Sequence, residues 1–153
     1  MSKPAPVKSA VVPFATTVHV RDHCLCFAAQ RAARTLARRF DEALRPAGLT
    51  SGQFSLLMSL NQSRPPSIGA VAGLLAMDRT TLTANLKPLE RRGLVTTTVD
   101  PDDRRGRLVA LTRAGRTVLR SALPIWRHVH GEIDRQLSPA DGSVVRGGLR
   151  ALS

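Results

Sequence analysis

Residues 78–99, which read DRTTLTANLKPLERRGLVTTTV, decide the fold. Asp78 is a suitable N-cap for a helix that runs from Arg79 to about Arg92, and Gly93 stands where a C-terminal helix cap belongs. The buried face of this helix is predicted from leucines at helical spacing, namely Leu82, Leu86 and Leu89. Pro88 forfeits one helical hydrogen bond, so a local bend or tightening is expected there.

Two strand-like segments rich in Thr and Val follow this helix, at residues 94–99 and 107–111. The loop that joins them, residues 100–106, reads DPDDRRG and combines turn-forming residues with charge. The pattern therefore predicts a β-hairpin with a basic tip.

Upstream, three helices are predicted. The first covers about His23 to Leu44, and a capping box at residues 50–53 opens the second. Ser67 caps a short third helix, which a break at residues 76–77 separates from the helix after Asp78. Its expected buried residues are Ile68, Val71, Leu74 and Leu75. A short helix, a tight turn and a second helix form a helix-turn-helix, whose second helix enters the major groove of DNA.

Downstream, Thr112 caps a long helix in which Pro124 should produce a kink. Residues 138–141 form a second capping box, with Ser138 as the predicted cap of the last helix. At the other end, residues 1–18 contain three prolines and no helical period, so they are predicted to be an extended arm.

The charge of the chain indicates a polyanionic partner, either nucleic acid or an anionic membrane surface. The formal net charge is +12 over 153 residues. Between Arg79 and Arg120 there are ten Lys or Arg and four Asp or Glu, so this segment carries half of the excess. No segment approaches the ~20 apolar residues of a membrane span, and no secretory signal is apparent. A cytoplasmic protein without a membrane partner is expected.

The residues expected to contact double-stranded DNA lie on the polar face of the Asp78-capped helix and on the hairpin tip. They are Arg79, Thr80, Thr81, Thr83, Lys87, Arg91, Arg104, Arg105 and Arg107. Asp102 and Asp103 are expected to support the tip, either by pairing with its arginines or through turn chemistry.

Three segments together resemble the MarR family of bacterial and archaeal regulators: LTANLKPLERRGLV at 82–95, DPDDRR at 100–105 and VALTRAG at 109–115. The resemblance extends over about residues 23–152. It implies a mainly α fold with a small β-hairpin wing, which is a winged helix-turn-helix. It also implies a repressor that binds a pseudo-palindromic operator and is released by a small anionic or phenolic ligand or by thiol oxidation.

A homodimer built from the N- and C-terminal helices is expected, because the terminal helices carry more apolar surface than one small wing domain covers. The predicted organisation is an N-terminal arm at 1–22, a dimerisation helix at 23–49, the DNA-binding region at 50–112 and C-terminal dimerisation helices at 113–153. The family architecture implies a ligand pocket near Arg31, Arg34, Phe54 and Met58.

Cys24 and Cys26 are too close in sequence for an ordinary disulfide staple. Residues 25–28, LCFA, resemble the first helix of the organic-hydroperoxide-sensing branch of the family, in which a reactive cysteine stands at the position of Cys26. That branch holds its thiolate with tyrosines, and this chain contains none. Redox sensing by Cys26, with Cys24 as a second thiol, is therefore an alternative to bystander cysteines.

The composition and motifs also bear on other function classes. A non-specific architectural DNA-binding protein would carry the same charge, so it stays an alternative. The sequence has no nucleophile–base spacing, phosphate-binding glycine loop or metal motif, so a non-enzymatic protein without cofactor or metal is predicted. An aromatic content of 3% argues against single-stranded RNA, which usually needs stacking platforms.

Overall fold

The computed structural model describes residues 11–138 and 141–152, and this part of the chain is mainly helical. The α-helices are α1 Phe14–His23, α2 Leu25–Leu44, α3 Ser51–Ser59, α4 Ile68–Leu74, α5 Arg79–Arg91, α6 Arg113–Leu137 and α7 Gly142–Arg150. A short 3₁₀ helix covers Arg45–Ala47, and the strands are β1 Val95–Val99 and β2 Arg107–Leu111. Among these described residues, no helix is both long and apolar enough to cross a membrane.

The chain divides into two units, Met1–Leu36 and Ala37–Ser153. The first unit contains α1 and the first part of α2, and none of its described residues is buried. The second unit contains the hydrophobic core. The most completely buried large side chains of that core are Leu44, Leu56, Leu57, Val71, Leu82, Leu89 and Val109.

The predicted hairpin is confirmed, and α4 is attached to it. β1 and β2 pair antiparallel, with Val95 opposite Leu111 and Val99 opposite Arg107. A further single bridge joins Ser67 to Leu108. Because Ser67 is also the N-cap of α4, this bridge places the first helix of the helix-turn-helix against the wing.

The predicted caps of α3 and α4 form where the sequence places them. Thr50 makes the complete capping box with Gln53, and the Ser67 hydroxyl accepts a hydrogen bond from the Ala70 N–H. The turn between α4 and α5 passes through Ala76, whose φ of 51° lies in the left-handed region. The Met77 N–H then donates to the Ala72 carbonyl over 2.9 Å, which closes the turn before α5.

The start of α6 is fastened to the start of β1. The Thr112 hydroxyl donates to the Gly93 carbonyl over 2.6 Å and accepts from the Gly115 N–H over 3.0 Å. A Cβ on Gly115 would lie only 2.0 Å from the carbonyl oxygen of Leu94. Only glycine therefore allows this approach, which accounts for the VALTRAG segment: its threonine caps α6 and its glycine admits the neighbouring backbone.

Two predictions about the chain upstream of α5 are wrong. Residues 14–18 belong to α1 instead of an extended arm, and residues 1–10 lie outside the described part. α1 has no buried residue, so it lacks the apolar stripe by which a helix is recognised in sequence. Leu74 was expected in the core, but it is 66% exposed near the end of α4.

The start of the last helix was also predicted wrongly. Ser138 is the C-cap of α6, and α7 is capped by Asp141, whose carboxylate accepts from the Ser143 N–H over 2.8 Å. Two candidate caps stood three residues apart in the sequence. Because α6 runs to Leu137 and takes Ser138 as its C-cap, Asp141 is the residue left to cap α7, and residues 139–140 lie outside the described part.

Candidate DNA interface

The two faces of α5 differ as predicted. Leu82, Leu86 and Leu89 are at most 2% exposed and anchor the helix in the core. The opposite face is exposed to solvent, and it carries Thr80, Thr83, Ala84, Lys87 and Arg91. Burial of the leucines therefore fixes which hydroxyl and cationic side chains α5 presents outward.

Asp78 determines the first turn of α5. Its carboxylate accepts from the Thr81 N–H over 2.8 Å and from the Thr81 hydroxyl over 2.6 Å. The hydroxyl bond is the main cause, and the backbone bond the second, of an Asp78 pKa below its ordinary value. Thr81, which was expected to face bases, thus has its hydroxyl engaged in the cap. The Thr83 hydroxyl likewise donates to the Arg79 carbonyl over 2.7 Å.

The wing loop is folded by aspartate turns. The Asp103 carboxylate accepts from the Arg105 N–H over 2.9 Å, and the Asp100 carboxylate accepts from the Asp102 N–H over 3.0 Å. The Gly106 N–H donates to the Asp103 carbonyl over 2.7 Å, which tightens the tip. Of the two roles considered for Asp103, the structure shows turn chemistry.

The pairing alternative is not seen in the described residues, where no ion pair joins Asp102 or Asp103 to an arginine of the wing. Asp100, which sequence reasoning passed over, makes the turn bond expected of Asp102. The signal was present, since an aspartate before proline favours the start of a turn.

The wing arginines differ in their freedom. Arg107 donates from Nη1 to the carbonyls of Arg104 and Gly106, over 3.2 Å and 2.9 Å, so it is folded back onto its own loop. Arg104 and Arg105 are exposed. Arg107 therefore stiffens the tip, while Arg104 and Arg105 project from it.

A cleft of about 490 Å³ separates α5 from the wing. Its cationic residues are Arg79 at the start of α5 and Arg105 and Arg107 of the wing. Gly69 of α4 also lines it, and this residue was not singled out from the sequence. The structure thus brings predicted residues of the helix and the wing to one concave, net positive surface.

A second cavity, of about 480 Å³, is mostly apolar. Phe54 and Met58, both predicted at a ligand pocket, line it together with Ser55, Ser59, Leu74, Leu75, Leu123 and Trp126. The rings of Phe54 and Trp126 stack with their centroids 6.4 Å apart. This cavity explains the exposure of Leu74, which forms part of its wall instead of the core.

The other two predicted pocket residues, Arg31 and Arg34, are exposed in the N-terminal unit. Arg31 lies over the Phe27 ring at 5.7 Å, and Arg34 donates to the Gln30 side chain over 3.2 Å. Both interactions stay on the surface of α2. Their part in ligand binding stays a prediction.

The two cysteines are free thiols, with Cys24 partly buried and Cys26 exposed. Cys24 stands between α1 and α2, where its sulfur accepts from the Phe27 N–H over 3.4 Å. The Cys26 sulfur accepts from the Gln30 amide over 3.2 Å. Each sulfur therefore contacts a different group within the N-terminal unit.

Comparison with known proteins identifies the family. Residues 49–106, which contain α3, α4, α5 and most of the wing, match the MarR family model. The chain is 28% identical to the HTH-type transcriptional regulator SarZ of Staphylococcus saprophyticus, over 76% of this chain and 80% of that protein.

Solved structures agree with that assignment. The M. tuberculosis transcriptional regulator MosR in complex with DNA is 38% identical, with a TM-score of 0.78 over 85% of this chain and 93% of that one. CouR of Rhodococcus jostii RHA1, bound to p-coumaroyl-CoA, is 28% identical, with a TM-score of 0.70 over 86% and 90%. The chain therefore belongs to the MarR family, and it is a non-enzymatic, DNA-binding transcriptional regulator with a winged helix-turn-helix.

Proposed function

We propose that the protein is a homodimeric repressor that binds a pseudo-palindromic operator and leaves it when a small molecule binds. The observation that carries the proposal is the juxtaposition of α5 and the wing. The buried leucines of α5 turn its hydroxyl and lysine side chains toward solvent, and Arg79 at the start of α5 lines one cleft with Arg105 and Arg107 of the wing. In this geometry α5 reads the major groove, and the wing reaches an adjacent minor groove or backbone.

The residues of the interface divide by role. Thr80, Thr83 and Lys87 lie on the exposed face of α5 and are proposed to meet base edges and flanking phosphates. The Thr83 hydroxyl donates to the Arg79 carbonyl, so Thr83 is proposed to contact bases as an acceptor or through its methyl group. Arg79, Arg91 and the wing arginines supply charge to the DNA backbone, and the carboxylates of Asp100 and Asp103 shape the wing. Thr81 contributes through the Asp78 cap, because its hydroxyl is already engaged there.

Apolar side chains on the terminal helices support the homodimer. Phe14 is 78% exposed, Leu25 70% and Val144 70%. Large apolar side chains exposed on these helices are unfavourable in water, and a second copy would cover them. Two copies would also present two α5 helices to two half-sites, which raises affinity without any new contact. The proposed organisation keeps residues 23–49 and 113–153 as dimerisation segments around the DNA-binding region at 50–112.

Release by a ligand is supported by the cavity at Phe54 and Trp126. It adjoins α4 through Leu74 and Leu75, so its contents touch the first helix of the helix-turn-helix. Its aromatic lining suits the phenolic part of a ligand, and the related protein CouR was solved bound to p-coumaroyl-CoA. Trp126 is the only tryptophan of the chain and serves as a fluorescent reporter of occupancy.

The proposal is tested by fluorescence anisotropy on DNA from upstream of the protein's own coding sequence, beside a scrambled duplex, over a salt series. We expect tighter binding to the upstream duplex that persists as salt rises. Addition of p-coumaric acid or p-coumaroyl-CoA should lower DNA affinity and change Trp126 fluorescence together. A protein acting at a chromosomal operator would do so in the cytoplasm.

Other outcomes point to the alternatives. Equal affinity for both duplexes, decaying together with salt, would indicate a non-specific architectural protein. Release by an organic hydroperoxide but not by aromatic ligands would indicate a thiol sensor that uses Cys26. In that case Cys26→Ser should abolish the peroxide response, and Cys24→Ser would show whether the second thiol takes part.

A further inference from the structure

The guanidinium of Arg79 rests against Gly69. A Cβ placed on Gly69 would lie 2.9 Å from Nη2 of Arg79, 3.4 Å from Cζ and 3.5 Å from Nε. The guanidinium therefore lies, with Nη2 nearest, against the space where a side chain of residue 69 would begin. Arg79, the first residue of α5, is therefore laid across the first turn of α4.

This contact determines where the charge of Arg79 lies. Gly69, Arg79 and Arg105 line the same cleft between α4, α5 and the wing. The two carboxylates of that cleft, from Asp100 and Asp103, accept hydrogen bonds from backbone N–H groups of the wing. Packing against Gly69 restricts the rotamers of Arg79 within the cleft that Arg105 and Arg107 also line, whereas an unpacked arginine would sample many.

We infer that Gly69 is a positioning residue for DNA binding. It acts through Arg79, because the absence of a side chain at residue 69 leaves the space in the cleft that the Arg79 guanidinium occupies. The ligand of the Arg79 guanidinium in this position is a DNA backbone phosphate, which a guanidinium binds with charge-assisted hydrogen bonds. The inference rests on the proposed function, which assigns the cleft to the DNA interface.

A methyl group at Gly69 should displace Arg79 while leaving the fold intact. Real Cβ atoms essentially never come within 3.0 Å of a neighbour, so the contact must open. The group that must move is the end of the flexible, exposed Arg79 side chain. Its movement should leave the packing of the core unchanged. The arginine then has to be ordered during DNA binding, and that ordering opposes association.

The test compares Gly69→Ala with Gly73→Ala, Arg79→Ala and the Gly69→Ala/Arg79→Ala double variant. Gly73 lies on the same helix, and a Cβ there would meet nothing within 4 Å, so it controls for helix propensity. Affinity for a random-sequence duplex of about two helical turns is measured by anisotropy over a salt series. The melting temperature of each variant is measured in parallel.

We expect Gly69→Ala to weaken DNA binding roughly tenfold and to lower the salt slope by about 1, as for loss of one phosphate contact. Gly73→Ala should stay within about twofold of the parent protein, since it disturbs no contact. The double variant should bind like Arg79→Ala alone, because the glycine acts only through the arginine. Melting temperatures should not fall.

Two results would overturn the inference while leaving the proposed function standing. One is parental affinity for Gly69→Ala when Arg79→Ala binds weakly. The other is additive losses in the double variant, which would show that Gly69 acts by a route independent of Arg79. If Arg79→Ala itself binds like the parent protein, the role of Arg79 in the DNA interface fails, and the inference fails with it.

Discussion

The winged-helix region buries its large apolar side chains, whereas the terminal helices leave several of theirs exposed to solvent. In α5 the three leucines are at most 2% exposed, whereas Phe14 of α1 is 78% exposed and Val144 of α7 is 70% exposed. The winged helix therefore completes its own core within one chain. The terminal helices have apolar side chains that this chain alone does not cover, as expected of a surface that a second copy occupies.

The largest effect is expected from Gly115→Ala, which tests whether the winged-helix region is closely packed within one chain. A Cβ would overlap the Leu94 carbonyl oxygen, so α6 and β1 must separate. We expect a loss of about 3 kcal/mol in the free energy of unfolding, the upper range for overpacking. Urea unfolding measures it. Gly131→Ala on the same helix, where the nearest group lies 3.8 Å away, is the control and should be near neutral. Equal stability of the two variants would contradict the close packing.

The proposed dimer interface on the terminal helices is tested by combining Leu25→Ser with Val144→Ser. Both side chains are 70% exposed in the single chain, so the monomer should keep its stability. Burial of each in a dimer would contribute about 1.5–3 kcal/mol, so we expect dimer dissociation to rise at least tenfold. Sedimentation velocity over a concentration series measures this. Val99→Ser in the wing, where Val99 is 54% exposed, is the control and should leave dimerisation unchanged. If the double substitution does not change the dimer dissociation constant, the interface lies elsewhere.

Within the winged-helix region, Arg105→Ala tests the exposed wing tip. Its side chain projects from a loop that backbone bonds hold, so the substitution should leave folding unaffected. We expect DNA affinity to fall about fivefold and the salt slope to decrease by about 1. Anisotropy against a matched Arg127→Ala variant, altered on α6, measures the difference. Identical affinities in the two variants would remove the wing from the interface.

The smallest effect is expected from Asp78→Asn, which sharpens the description of the first turn of α5. Hydrogen bonds from Thr81 lower the pKa of Asp78 in the folded protein, so its contribution is present above pH ~4 and is lost as pH falls through the lowered value. Asparagine also caps helices but does not titrate in this range. The melting temperatures of the two proteins should therefore converge below pH 4. Parallel pH profiles would show that this carboxylate is not linked to folding.

Much of the DNA-binding region follows from local sequence. Asp78 caps α5 through the N–H of Thr81, three residues away, and the leucine face repeats every three or four residues. Such interactions stand close together in the chain, so their partners are visible in the sequence. The same locality makes α1 hard to predict, because a helix without a buried stripe leaves no periodic pattern.

In the candidate site, too, the residues were predicted from the sequence, but some of their contacts depend on the three-dimensional geometry. The outward residues of α5 and the wing were named from the sequence, but the partners of two were not. The Thr81 hydroxyl had two available roles, base contact or helix cap, and only coordinates distinguish them. Asp103 could pair with an arginine side chain or with the Arg105 N–H, and the turn geometry selects the second.

The sequence by itself determined the order of elements from α2 onward, the buried face of α5, the basic wing and the family resemblance, because each rests on spacing within a few residues or on composition. Only the tertiary structure decided that Gly69 seats Arg79, that Gly115 admits the Leu94 carbonyl and that Phe54 meets Trp126 across a cavity. Those contacts join residues from different elements. Their distances depend on how helices pack and which side chains the core accepts, and no local pattern records either.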